Sequence, residues 1–135
     1  MAGYSGTPLP KKLGIKENHK VVILGAPAGF DVGTLPMGAV TRKSLPPQGT
    51  LDVAIVFVKK KAELAGKLAE VRAKMAQNAG LWIAWPKKSS GVPTDMTEDV
   101  IREVALPTGL VDNKVCAIDD TWSGLRLVIR VANRK

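Results

Sequence analysis

The stretch Pro86-Lys87-Lys88-Ser89-Ser90-Gly91 follows the apolar run Leu81–Trp85 and runs into a helix start. Two cations, two hydroxyl donors and a glycine that lets the backbone come close would together suit a phosphate or a carboxylate. A helix N-terminus just beyond would add free N–H groups. The competing reading is a solvated loop whose lysines keep the end of a sheet wet, because Asp95, Glu98 and Asp99 already bring negative charge to that helix end. A second turn, Gly25-Ala26-Pro27-Ala28-Gly29, follows another apolar run. Its glycines do not have the G-x-G-x-x-G spacing of a dinucleotide-binding loop, and alone they read as a tight strand exit. The candidate ligand-binding set is therefore Lys87, Lys88, Ser89, Ser90 and Gly91, with Gly25 and Gly29 contributing from the neighbouring loop.

No catalytic constellation and no metal site stand out. His19 is the only histidine, and no serine sits in a G-x-S-x-G elbow. The single cysteine, Cys116, excludes a disulfide within the chain and any cysteine cluster. It lies in the apolar run Val115–Ile118 and reads as a buried, inert thiol. Asp119 and Asp120 are paired carboxylates without further ligands, which suits a turn. Trp82 and Trp85 are three apart in a strand and so face opposite sides of a sheet, as two core layers require.

The elements that must position these residues follow from apolar pattern and breakers. Strands are expected near 20–26, 38–44, 51–58 and 81–86. Those at 20–26, 51–58 and 81–86 are continuous apolar runs, as for strands covered on both faces. From 60 to 77 the residues Leu64, Leu68, Val71 and Met75 share one helical face, and Asn78-Ala79-Gly80 reads as the stop, with Gly80 left-handed. A second helix over 95–106 starts at a Thr94 or Asp95 cap, with Glu98 completing a capping box. The segment 113–132 reads as a C-terminal antiparallel hairpin. Residues 1–19 form an N-terminal arm with one short helical turn near Pro8–Leu13, and 20–135 a single small Rossmann-like α/β domain with a mostly parallel sheet.

Composition narrows the class. A 45% hydrophobic and 24% charged chain of 135 residues is that of a soluble globular protein. No run approaches a membrane span and no signal peptide is visible, so a cytoplasmic protein without a membrane partner is expected. The net charge of +8 allows an anionic partner, a small molecule or nucleic acid, or serves solubility alone. With 4% aromatic residues there is little material for base stacking. Self-association into a homo-oligomer is left open.

Residues 51–132 resemble the later half of class I methyltransferases: an apolar strand, an amphipathic helix, a strand ending near proline, a further helix and a closing hairpin. The departures lie where the cofactor would sit. The first loop lacks the glycine fingerprint. Strand 38–44 ends in Arg42 and Lys43, where an acid would hold ribose hydroxyls. S-adenosylmethionine binding and methyl transfer are therefore expected to be lost, and no other cofactor is named. The segments GYSGTPLPKKLGIK, GLWIAWPKKSSGVPTDMTEDVIREVAL and GLVDNKVCAIDDTWSGLR resemble a family of short bacterial proteins of actinobacterial type, catalogued only as a domain of unknown function. That resemblance implies a bacterial origin and no activity. The reading favoured is a non-catalytic Rossmann-like module that binds an anionic small ligand or a protein partner. The alternatives are a degenerate or divergent methyltransferase relative and a basic nucleic-acid-associated protein. Whether the chain is an enzyme is left open.

Overall fold

The computed structural model describes residues 7–47 and 49–134. The first six residues of the expected arm, and Gln48 in the turn after Leu45, lie outside that description. The apolar runs become β1 (Lys20–Leu24), β3 (Leu51–Phe57) and β4 (Met75–Pro86), with β2 (Val40–Arg42) a short strand between the first two in sequence. The chain closes with β5 (Leu110–Ala117) and β6 (Trp122–Ile129), and its helices are α1 (Leu9–Lys12), α2 (Lys61–Arg72) and α3 (Glu98–Ala105). All six strands form one sheet in the order β2-β1-β3-β4-β6-β5. The first four are mutually parallel, while β6 runs antiparallel to both β4 and β5. The three strands of unbroken apolar character, β1, β3 and β4, thus occupy the interior, and the exposed, polar β2 takes an edge. No helix among the described residues is long and apolar enough to cross a membrane.

Each face of the sheet carries its own core. Leu64, Leu68 and Val71 of α2, with Ile101 and Ala105 of α3, cover one face around Leu81, Ile83 and Trp85. The opposite face holds Val21, Ile55 and Trp82 and is covered without a long helix, by Leu13 and Ile15 after α1 and by Val32 in the segment 25–39. That segment is the β1–β2 crossover, a place where parallel strands usually use a helix. Trp82 and Trp85 do point to opposite layers. The Trp82 side chain is wholly buried, and its indole N–H donates to the Leu13 carbonyl at 3.0 Å. This bond ties the α1 segment to the middle of the sheet.

Three local expectations are corrected. The helix over 60–77 ends at Arg72, and the next strand begins at Met75 rather than Leu81. Met75 fits the helical stripe equally well, but it pairs with Leu51. The residues 78–80 are no turn: the register passes from Leu51–Met75 to Val53–Gly80, so two steps along β3 match five along β4 in a bulge. Gly80 is not among the left-handed residues. A Cβ there would lie 2.6 Å from Nε of Arg126, so a side chain at this position would displace the guanidinium that crosses it. The cap of α3 is Thr97, whose hydroxyl accepts from the Val100 N–H at 3.1 Å. Asp95 instead accepts from the Lys61 N–H at 2.7 Å, capping α2 from another loop, and Thr94 donates to the Lys59 carbonyl. Glu98 completes no capping box but pairs with Arg102 at 2.9 Å.

Two substitutions check these ties. Trp82→Phe keeps an aromatic ring but loses the indole N–H and some buried volume, and it orphans the Leu13 carbonyl. It should lower stability by about 1–3 kcal/mol and expose Lys11, Lys12 and Lys16 to trypsin well before global unfolding, as followed by native-state proteolysis. Asp95→Ala should cost about 1 kcal/mol, as for a lost helix cap. The loss should appear as faster amide exchange in the first turn of α2 rather than of α3.

Candidate functional site

Parallel strands send their following loops out of one end of the sheet. Between the loop after β1 and the end of β2 lies a crevice of about 590 Å³. Gly25, Gly29, Phe30, Asp31, Arg42 and Lys43 are among its lining residues. The loop is shaped locally. Gly25 has φ 70°, and a Cβ there would sit 3.0 Å from the Phe57 carbonyl oxygen, so the chain turns tightly against β3. Gly29 has φ 82° and open space around it. Asp31 folds back to accept from the Gly33 N–H at 2.8 Å, a turn typical of aspartate. On the other wall, Arg42 has only a long contact, 3.4 Å, to the Ser44 hydroxyl, and no carboxylate among the described residues pairs with Arg42 or Lys43. The crevice therefore offers glycine backbone and two cations without an ion-pair partner, with the Asp31 carboxylate also in its lining, and the two cations are the chemistry of an anion-binding wall.

The loop Lys87–Gly91 leaves the same sheet end from β4. The Lys87 N–H donates to the Thr121 carbonyl at 2.8 Å, and a single 3-10 turn over Lys88–Ser90 follows. The Ser90 hydroxyl donates to the Lys87 carbonyl at 2.7 Å and accepts from the Val92 N–H, so it is used within the turn. Gly91 is left-handed, φ 77°, with open space on its Cβ side. The structure brings Gly25 and Gly29 together with Arg42 and Lys43, but Lys87 to Gly91 do not line that crevice. A row of rings runs across this end of the sheet. Phe30 meets Phe57 edge-on at 4.9 Å, and Phe57 meets Trp122 at 5.0 Å, with Trp122 opposite Pro86 at the end of β4. Sequence reasoning missed this row, because its three members come from a loop and two strands far apart in the chain. Arg42 and Lys43 carried a signal as the basic end of a strand.

The remaining chemical side chains are accounted for locally. Asp119 accepts from the Thr121 and Trp122 N–H groups, both at 2.8 Å, and so shapes the β5–β6 turn. His19 accepts at Nδ1 from the Lys16 N–H at 3.1 Å. Among the described residues no three His, Cys, Asp or Glu side chains are grouped to hold a metal ion. Cys116 is half-buried, and burial pushes its thiol up, against a smaller downward pull from Lys12 and Lys114.

Residues 46–131 match the family described as "Protein of unknown function (DUF3052)". The chain belongs to this family. No curated protein matches the DUF3052 chain at a significant level. Among solved structures it is similar to a SAM dependent methyltransferase from Aquifex aeolicus, at 18% identity and TM-score 0.65 over 88% of this chain and 86% of that one. It is also similar to Burkholderia thailandensis 1,6-didemethyltoxoflavin-N1-methyltransferase with bound 1,6-didemethyltoxoflavin and S-adenosylhomocysteine, at 11% identity and TM-score 0.62 over 90% and 75%. A third likeness is to the Methanococcus jannaschii fibrillarin pre-rRNA processing protein, at 14% identity and TM-score 0.59 over 93% and 70%. At such identities the likeness shows the fold, a methyltransferase-like Rossmann fold, and no activity.

The raised thiol of Cys116 has a measurable sign. Its folded-state affinity for a proton exceeds that of the unfolded thiol. The contribution to stability is therefore present below the unfolded pKa, about 8.5, and is lost as pH rises through the folded value. Alkylation of the native DUF3052 chain by iodoacetamide should be slow at neutral pH, with a rate midpoint above that of a free thiol. A midpoint at or below that of the unfolded chain would contradict the burial argument.

Proposed function

We propose that this protein is a non-catalytic Rossmann-like binding module that holds an anionic, phosphate-bearing small molecule at the carboxyl ends of β1 and β2. The observation that carries the reading is the crevice itself: glycine backbone on one wall and the unpaired Arg42 and Lys43 on the other. Open α/β sheets take ligands outside the carboxyl ends of their strands. Where the second strand ends in a cation rather than an acid, the group favoured there is a phosphate rather than a pair of ribose hydroxyls. Lys87, Lys88, Ser89 and Gly91 supply a further contact for a ligand long enough to pass the end of β3. Adjacent strands lie about 4.8 Å apart, so the ends of β1 and β4 are roughly 10 Å apart. Ser90 acts by shaping that loop.

A second reading, a divergent relative of S-adenosylmethionine-dependent enzymes, is supported by the fold likeness. One of the similar structures carries S-adenosylhomocysteine. The basic end of β2 argues against it.

Calorimetry with NADPH, ATP and S-adenosylhomocysteine separates the two. A phosphate-bearing nucleotide should bind, and Arg42→Gln with Lys43→Gln should weaken it at least tenfold. Lys87→Ala with Lys88→Ala should weaken it less and leave the unliganded melting temperature nearly unchanged. Micromolar binding of S-adenosylhomocysteine that is insensitive to the Arg42 and Lys43 changes would overturn the anion reading in favour of the methyltransferase one.

A further inference from the structure

A second cavity, about 390 Å³, opens beneath residues 11–19 on the face that carries Trp82, toward the amino ends of the parallel strands. Lys11, Lys12, Lys16, Lys114 and Arg126 line it, with Asp52 as the one acidic side chain. Asp52 is engaged already, accepting from the Lys20 N–H at 2.8 Å. The ion pairs among the described residues all belong to Arg102, so no carboxylate lies within ion-pair distance of these five cations.

Two of the cations are held in place by neutral groups. The Lys12 ammonium donates to the Ala117 carbonyl at 2.9 Å, and the Lys114 ammonium donates to the Lys12 carbonyl at 3.1 Å. Both bonds fix the position of a charge without cancelling it. Arg126 is half-buried and lies over the Gly80 backbone. Burial and the nearby Arg134 both act against its charged form, yet a guanidinium stays protonated.

The pairing register adds an independent observation. Lys114 and Arg126 are direct cross-strand partners, and Arg126 is in turn the partner of Trp82. Residues directly opposite share a face, so both cations stand on the cavity side. Like charges so placed destabilise a sheet. The Lys114 ammonium turns to the Lys12 carbonyl, and an anion with several charged oxygens would complement both cations on this face.

We propose that this cleft is a binding site, separate from the crevice over β1 and β2, for a small molecule carrying two or more linked phosphate groups. Five cations around one cleft suit a chain of phosphates better than a single one, and the volume of about 390 Å³ is that of a small ligand. His19, whose Nδ1 accepts from the Lys16 N–H, also lines the cleft.

The test uses inorganic tripolyphosphate as the probe, with pyrophosphate, orthophosphate and a single-stranded oligoribonucleotide as comparisons. Binding is followed by calorimetry and thermal shift at low and moderate salt. Tripolyphosphate should bind more tightly than pyrophosphate and much more tightly than orthophosphate, raising the melting temperature. Arg126→Gln and Lys114→Gln should each weaken it at least tenfold, and the unliganded Lys114→Gln protein should be no less stable than the parent. Arg42→Gln with Lys43→Gln should leave in place the tripolyphosphate binding that Arg126→Gln and Lys114→Gln remove, so this site and the crevice can fail separately. Should Arg126→Gln fold poorly, Lys114→Gln and Lys12→Gln carry the result. The proposal is overturned if tripolyphosphate does not bind at millimolar concentration in low salt, or if it binds the variants as it binds the parent. It is equally overturned if the oligoribonucleotide binds more tightly than tripolyphosphate and is lost in the same variants, since the cleft would then be part of a nucleic-acid surface.

Discussion

A parallel strand buried in mid-sheet must be covered on two faces, and this chain has long helices for only one. That constraint shapes the rest of the molecule. The helices α2 and α3 cover one side, and the other falls to the short α1 segment and to the irregular crossover after β1. Irregular backbone over a core must still satisfy its polar groups. The buried indole of Trp82 does this for the Leu13 carbonyl, and the Asp31 side chain does it for the Gly33 N–H. Because no helix fills the β1–β2 crossover, its loop remains free to stand beside the end of β2 and enclose a cavity.

The central strands were legible in the sequence because burial on both faces erases polar alternation, as in Leu51–Phe57 and Leu81–Trp85. The end of α2 was not legible, because Met75 satisfies a helical stripe and a strand register alike. Only the pairing partner Leu51, twenty-four positions earlier, decides between them. The cap of α3 was misplaced for a related reason. Asp95 has the right chemistry for an N-cap, but its loop delivers it to the first turn of α2. Local chemistry was read correctly and its destination was not, since destinations are set by tertiary distance.

Of the candidate site, the sequence showed each wall and not their arrangement. The basic end of β2 and the two glycines after β1 were visible, but parallel pairing of β1 with β2 is what sets them face to face. The loop from Lys87 to Gly91 was expected beside the glycines. It leaves the same sheet end, but two strands away from β1 and outside the crevice. The excess positive charge was legible only as a total of +8. Folding concentrates part of it at the amino ends of the strands, where Lys114 and Arg126 meet across a ladder.

The bond between Trp82 and Leu13 spans 69 residues, and that between Lys12 and Ala117 spans 105. A chain emerging in sequence order makes the Leu13 segment long before the surface it covers exists. Closing loops of this size costs conformational entropy before any contact repays it. Until β4 and β6 are in place, the apolar residues Leu13, Ile15 and Val32 lack Trp82, Ala84 and Trp122 of the core they enter. One side of the sheet therefore assembles late, and the half-built species exposes a bare apolar face. For a molecule of this topology, the slow and aggregation-exposed step is the laying down of its helix-poor side.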